Sequence, residues 1–245
     1  MKTAGIITEY NPLHYGHAFL MQAVRRQYGG DTAIICAMSG DFVQRGDFAL
    51  VRRQARAEAA VRSGADLVLE LPLPWAVSSA EGFARGGIDV LTGTGMLDVL
   101  AFGSECGDSA ALLRAAKALE SPALPPLLKA ALAQGDNFAA ARQRAVSALL
   151  AAEDAALLSS PNNTLGIEYC RVLLQSGSEP EIFTVSRTGA AHDAAAGDAG
   201  GYSASAIRQL LGDGRRADAL SRMVPAMQAA YAAEEAAGRA PVFAS

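Results

Sequence analysis

Five short apolar runs of strand length constrain this chain more than any other feature. They are Ala4 to Thr8, Thr32 to Met38, Asp66 to Leu71, Val99 to Phe102 and Ile182 to Ser186. Helical spacing fills the gaps between the early ones: Leu20, Met21 and Val24 mark a helix over His17 to Tyr28, ended by Gly29-Gly30-Asp31. A second helix is expected over Val51 to Ser63, with Gly64 as its stop, and a third near Glu81 to Leu91; Pro72 and Pro74 close the third strand. Strands that are apolar throughout are buried on both faces, so the alternation predicts a Rossmann-like, doubly wound α/β fold with a parallel sheet of about five strands. Ligands on such sheets bind at the carboxyl ends of the strands.

Between the fourth and fifth runs, Ala110 to Leu158 is rich in alanine and has no strand signal. It predicts two or three helices on the flank of the core, the last around Phe138 to Ala152. From Ser203 onward the chain again reads as helical, with a break at Gly212-Asp213-Gly214 and an end, Met227 to Ala237, expected to fray.

Composition narrows the classes. With 51% hydrophobic and 19% charged residues in 245, the chain is globular rather than disordered. Its apolar runs are far too short to cross a bilayer, and Met1-Lys2-Thr3 leads straight into a strand without a signal peptide, so a soluble, cytoplasmic protein is expected. The net charge of -4 is unlike that of a strongly basic nucleic-acid binder. Cys36, Cys106 and Cys170 are widely spaced, which argues against a disulfide framework or a zinc knuckle and reads as buried thiols.

Two of the three histidines, His14 and His17, flank Tyr15-Gly16 in the loop that leaves the first strand and opens a helix. Free amides and the helix dipole favour an anion there, and both imidazoles can donate to a phosphoryl group as its charge redistributes. Gly16 lets the backbone approach a ligand. The same string also suits a metal pair completed by His192, or a turn with one core histidine. Late in the chain, Tyr202-Ser203-Ala204-Ser205-Ala206-Ile207-Arg208 reads as a helix start capped by Ser203 or Ser205, with an ordinary capped helix and a surface Arg208 as the alternative.

The His14-Tyr15-Gly16-His17 loop and the late Ile207-Arg208 segment together resemble the nucleotidyltransferase superfamily, whose His-x-Gly-His motif serves adenylate formation from ATP. Four further strings, Ser39 to Gly46 (SGDFVQRG), Asp66 to Pro72 (DLVLELP), Phe102 to Glu105 (FGSE) and Ser160 to Tyr169 (SPNNTLGIEY), make the chain similar to the bacterial tRNA(Met) cytidine acetate ligase family over about Met1 to Leu211. That resemblance implies activation of acetate as acetyl-adenylate, then acetylation of the wobble cytidine of elongator tRNA(Met), with ATP as substrate and Mg²⁺ on its phosphates. It implies His14 and His17 as catalytic residues. For ATP it implies Ile7, Thr8, Glu9, Tyr10, Asn11, Pro12, Leu13, His14, Tyr15, Gly16, His17, Ala18, Phe19 and Leu20, with Gly103, Asn162, Asn163, Arg187, Ser203, Ser205 and Arg208.

Gln44, Arg45, Arg53 and Arg56 are candidates for phosphates of ATP or tRNA, or a merely solvated charge cluster. Residues 1–211 then form the catalytic domain, with 110–158 as a helical insertion, and 212–245 a helical segment, a truncated or shortened tRNA-engaging part. A small-molecule adenylyltransferase and a nucleotide-binding module without turnover are the competing classes.

Overall fold

A computed structural model describes residues 1–186 and 203–243, and the side chains of all of these but Arg45 and Ala139. Strands β1 (Thr3–Thr8), β2 (Ala33–Ser39), β3 (Leu67–Leu71), β4 (Val99–Ser104) and β5 (Glu181–Ser186) form one parallel sheet in the order β3-β2-β1-β4-β5. The chain thus winds outward from β1 in one direction through β2 and β3, then returns to build β4 and β5 on the other side. The reversal puts a crevice at the carboxyl ends of β1 and β4, where α/β sheets bind ligands.

Helices α1 (Tyr15–Tyr28), α2 (Arg53–Arg62), α3 (Leu73–Ala76) and α4 (Ala80–Thr92) accompany the first four strands. Between β4 and β5 run α5 (Ser109–Leu119), α6 (Leu124–Ala133), α7 (Phe138–Ser147), α8 (Ala152–Ala156) and α9 (Pro161–Ser176); α10 (Ala204–Gly212), α11 (Arg216–Ser221) and α12 (Pro225–Ala236) follow β5. Side-chain alternation along the strands gives each face its own core. Ala4, Ile6, Ile34 and Cys36 pack with α1, α2 and α10 to α12. Ile7, Ile35, Ala37 and Phe102 pack with α4, α5 and α9 on the other face. The close approach of α4 to β1 needs Gly87, where a Cβ would lie 2.6 Å from the Ile7 side chain.

All five expected strands are present. The alanine-rich stretch holds four helices rather than two or three, because Ser121-Pro122 and Gly135-Asp136-Asn137 interrupt it; Asn137 caps the helix that follows. A second difference is α9. No element is expected over it from the sequence; Pro161 opens it from the first turn, where a missing N–H costs nothing, and Asn162 and Asn163 follow in that turn. Third, the end expected to fray is docked. Met227, Tyr231 and Glu234 of α12 are buried against α2, and Glu234 receives both Arg52 (2.7 and 2.8 Å) and Arg239 (2.9 and 3.1 Å). No helix among the described residues is long and apolar enough to cross a membrane.

Candidate active site at the strand switch point

The histidine loop leaves β1 at the crevice. His14, 2% exposed, is the N-cap of α1, and its Nδ1 accepts the Gly16 N–H at 3.1 Å. His17, one turn into the helix, returns the favour: its Nδ1 accepts the His14 N–H at 3.2 Å. This is the reciprocal logic of a capping box, built from two imidazoles. The rings stack with centroids 3.7 Å apart and planes at 28°. With Nδ1 an acceptor in both, the neutral rings carry their protons on Nε2, so the pair is set up as two adjacent N–H donors. Gly16 makes room for this cap: a Cβ there would come 3.0 Å from the His14 ring. Tyr10 meets His17 edge-on at 5.0 Å and seats its hydroxyl against Cys36 Sγ at 3.3 Å, which fixes the outer ring from the core side.

Several residues expected to line ATP also hold this loop. Ile7, Tyr10, Leu13 and Leu20 are core residues on the two faces of the sheet. Asn11 is 1% exposed; its Oδ1 accepts Leu50 N–H at 2.7 Å and its Nδ2 reaches Phe48 O at 3.4 Å. These side chains can serve a nucleotide only through the backbone they position. Thr8 and Pro12 are also buried, whereas Glu9, Tyr15, Ala18 and Phe19 are at least partly exposed.

The late motif closes on the same loop. Ser203 caps α10 by accepting the Ala206 N–H at 3.1 Å, Ser205 is exposed, and Arg208 is no free surface cation: its Nη1 donates to Asn11 O at 2.7 Å. His14 itself forms a backbone bridge with Met223, just before α12. Arg187, His192 and Tyr202 lie outside the described residues.

Arg56 requires a correction. Among the arginines that begin α2 it read as a phosphate or tRNA contact on a solvated face, yet it is wholly buried. Its guanidinium donates to Val51 O and Ser39 O, each at 3.1 Å, and to Glu9 O and Gly40 O. Burial pulls it down to about 10, with Asp41, Glu9 and Glu70 opposing, so it remains a cation at neutral pH. It ties the ends of β1 and β2 to the start of α2. Arg53 is exposed but paired, 3.1 Å from Glu70 and 3.7 Å from Asp41. Gln44 donates its backbone N–H to Glu9 Oε1 at 2.8 Å.

Across the crevice, Gly103 near the end of β4 is half-buried, and Glu105 just beyond it organises the start of α9. Its carboxylate accepts Asn162 N–H (3.1 Å), Asn162 Nδ2 (2.7 Å) and Asn163 N–H (2.7 Å). Burial alone would push the Glu105 carboxyl up, but these donors together outweigh it and hold it below the usual carboxylate range. Asn163 is buried, and its Oδ1 accepts the Cys106 N–H at 3.0 Å. Asn163 therefore shapes the rim, and Asn162 shares its amide with Glu105. Glu105 had no assigned role in the sequence, although a carboxylate one residue past a strand at the switch point is itself a signal. Among the described residues no group of three His, Cys, Asp or Glu forms a cation site.

A parallel sheet with a paired imidazole donor at its switch point and a capped helix start tied to the same loop defines an α/β nucleotidyltransferase. The chain belongs to the HIGH nucleotidyl transferase family, whose model matches residues 1–244. It is 45% identical over 224 residues to the tRNA(Met) cytidine acetate ligase of Syntrophotalea carbinolica, covering 90% of this chain and 53% of that protein. With the tRNA(Met) cytidine acetate ligase of Bacillus subtilis it shares 38% over 234 residues, 94% of this chain and 56% of the relative. Its fold superposes on Thermotoga maritima TmcAL, solved with alpha-thio ATP, at a TM-score of 0.89 with 34% identity, covering 99% of this chain and 58% of that one. The chain thus spans little more than half the length of these relatives.

Proposed function

We propose that this chain activates acetate with ATP, forming acetyl-adenylate and pyrophosphate, and passes the acetyl group to the wobble cytidine of elongator tRNA(Met) to give N4-acetylcytidine. The observation that carries the reading is the stacked His14–His17 pair at the N-terminus of α1, whose Nδ1 atoms each accept a backbone N–H and so set Nε2 as the donor atom of each neutral ring. An acetate oxygen attacks that phosphorus and pyrophosphate leaves; charge builds on the phosphoryl oxygens, where two positioned N–H donors stabilise it most. The cytidine amine then attacks the acetyl carbonyl, AMP departs, and the amine loses its proton. The identities of the relatives and the ATP analogue bound by the Thermotoga protein support this reading.

In the same proposal the loop 7–20, Gly103, Asn162, Arg187 and the Ser203–Arg208 helix start surround the nucleotide. The described residues offer no dedicated magnesium cage, since the Glu105 oxygens are taken up by N–H donors, so Mg²⁺ would arrive on the triphosphate. Residues 1–211 act as the catalytic domain and 212–245 as a segment that engages tRNA, in the cytoplasm where tRNA is modified.

The test is exchange of labelled pyrophosphate into ATP by this chain without tRNA. Exchange that depends on acetate is the expected result. Exchange that ignores acetate but follows a phosphorylated small molecule would replace the reading with a metabolite adenylyltransferase. ATP binding without any exchange would leave a nucleotide-binding module.

A further inference from the structure

We propose that Phe42 and Phe48 form a stacking platform for an unpaired pyrimidine of an RNA loop, next to the crevice that would hold the adenylate. The inference rests on the RNA-acetylating reading above, because it concerns where that reading's acceptor base would rest.

Both rings are large apolar groups left in solvent, 39% and 41% exposed, at the carboxyl end of β2, the strand beside the one that carries the histidines. They are joined by a backbone bridge and lie 5.3 Å apart with planes tilted by 43°. Their loop is firmly held. Val43 N–H bonds to Asp47 O and Ala49 N–H to Asp41 O, each at 2.9 Å, and Gln44 N–H bonds to Glu9 Oε1. Asn11 of the histidine loop contacts Phe48 O. A frame whose backbone N–H groups at Val43, Gln44 and Ala49 are bonded and which leaves two rings outward is suited to a flat, apolar-faced ligand, and it is coupled through Asn11 and Glu9 to the histidine loop.

Charge decides between a phosphate-led and a base-led contact. The chain carries -4, and the cations that follow the platform are already paired, Arg52 with Glu234 and Arg53 with Glu70 and Asp41. Among the described side chains, affinity for RNA drawn from counterion release is correspondingly small, so an aromatic face is the stronger handle they offer at this edge. Single-stranded bases splayed from a loop are recognised on such faces.

The experiment measures binding of a fluorescent RNA stem-loop, with one cytidine in its single-stranded loop, to the intact chain and to the variants Phe42→Leu, Phe48→Leu, Phe42→Trp and Phe48→Trp. Each is repeated with an abasic site in place of that cytidine. The expected result is a loss of about tenfold for each leucine variant, near-native binding for each tryptophan variant, and no difference among variants on the abasic RNA. Acetate-dependent pyrophosphate exchange without RNA should be unchanged in all four. Leucine variants that bind as tightly as the native chain, an equal loss on the abasic RNA, or no RNA binding by the native chain would each overturn the platform. So would a leucine-sensitive self-association with RNA binding unaltered, which would assign the face to a second copy. Exchange that fails in the native chain while the cytidine-specific difference persists would sink the adenylate reading and spare the platform.

Discussion

The two rims of the crevice are held by opposite charges. On the β1–β2 side a buried cation, Arg56, gathers carbonyls from Glu9, Ser39, Gly40 and Val51; on the β4 side an anion, Glu105, gathers N–H groups from Asn162 and Asn163. The Arg56 guanidinium, although pulled down to about 10, stays charged from neutral pH into acid, whereas a carboxylate can be neutralised by acid. In acid one rim is therefore permanent and the other titratable, and the two should fail under different conditions.

The largest effect is expected at the permanent rim. Arg56→Met leaves four carbonyls without their donor in a dry site, and unfolding by urea should show a loss of about 3–5 kcal/mol. A loss near zero would mean that the strand ends hold themselves. In activity the sharpest fall belongs to the pair between the rims: His14→Ala and His17→Ala should each cut pyrophosphate exchange by about 100-fold or more. His14→Ala should also cost about 1 kcal/mol as a lost helix cap, which separates its two roles.

Glu105→Gln should be milder, because the amide oxygen still accepts. We expect a several-fold rise in the ATP concentration for half-maximal exchange, and an unchanged value would remove this rim from nucleotide binding. Its pH dependence follows from the sign of the shift. A carboxylate held below its ordinary range stabilises the fold above about pH 4 and loses that contribution as the pH falls through its folded value, so acid should loosen the start of α9 before it disturbs Arg56. Amide exchange at Asn162 and Asn163 between pH 5 and pH 3 would sharpen or break the contrast.

Smallest is Glu234→Gln. The Arg52 guanidinium, then Arg239, holds the Glu234 carboxyl at about 2. Both arginines are half-exposed, so solvent screens the pairs and the loss should be about 1 kcal/mol in a thermal melt, vanishing below that pH.

The sheet was legible because five apolar runs and their glycine and proline stops agreed with one another. The histidine pair was legible too, through its place after the first strand. Arg56 was not, since it sits in a helix that follows Arg52 and also carries Arg53 and Arg62. Only the burial of Ala59 and Ala60, three and four residues on, marks its face as the inner one. Asn162 and Asn163 lie in the first turn of α9 because Pro161 opens that helix, although Pro-Asn-Asn is equally turn chemistry. Asn11, expected to line the nucleotide, has a side chain that braces the Phe48–Leu50 segment.

The bond from Arg208 to Asn11 spans 197 residues of chain. Contacts of such separation close slowly and gain nothing until the intervening structure has formed. The histidine loop acquires this brace only after α10 has been made and docked. If the brace sets the nucleotide site, gain of ATP binding during refolding should coincide with the docking of α10.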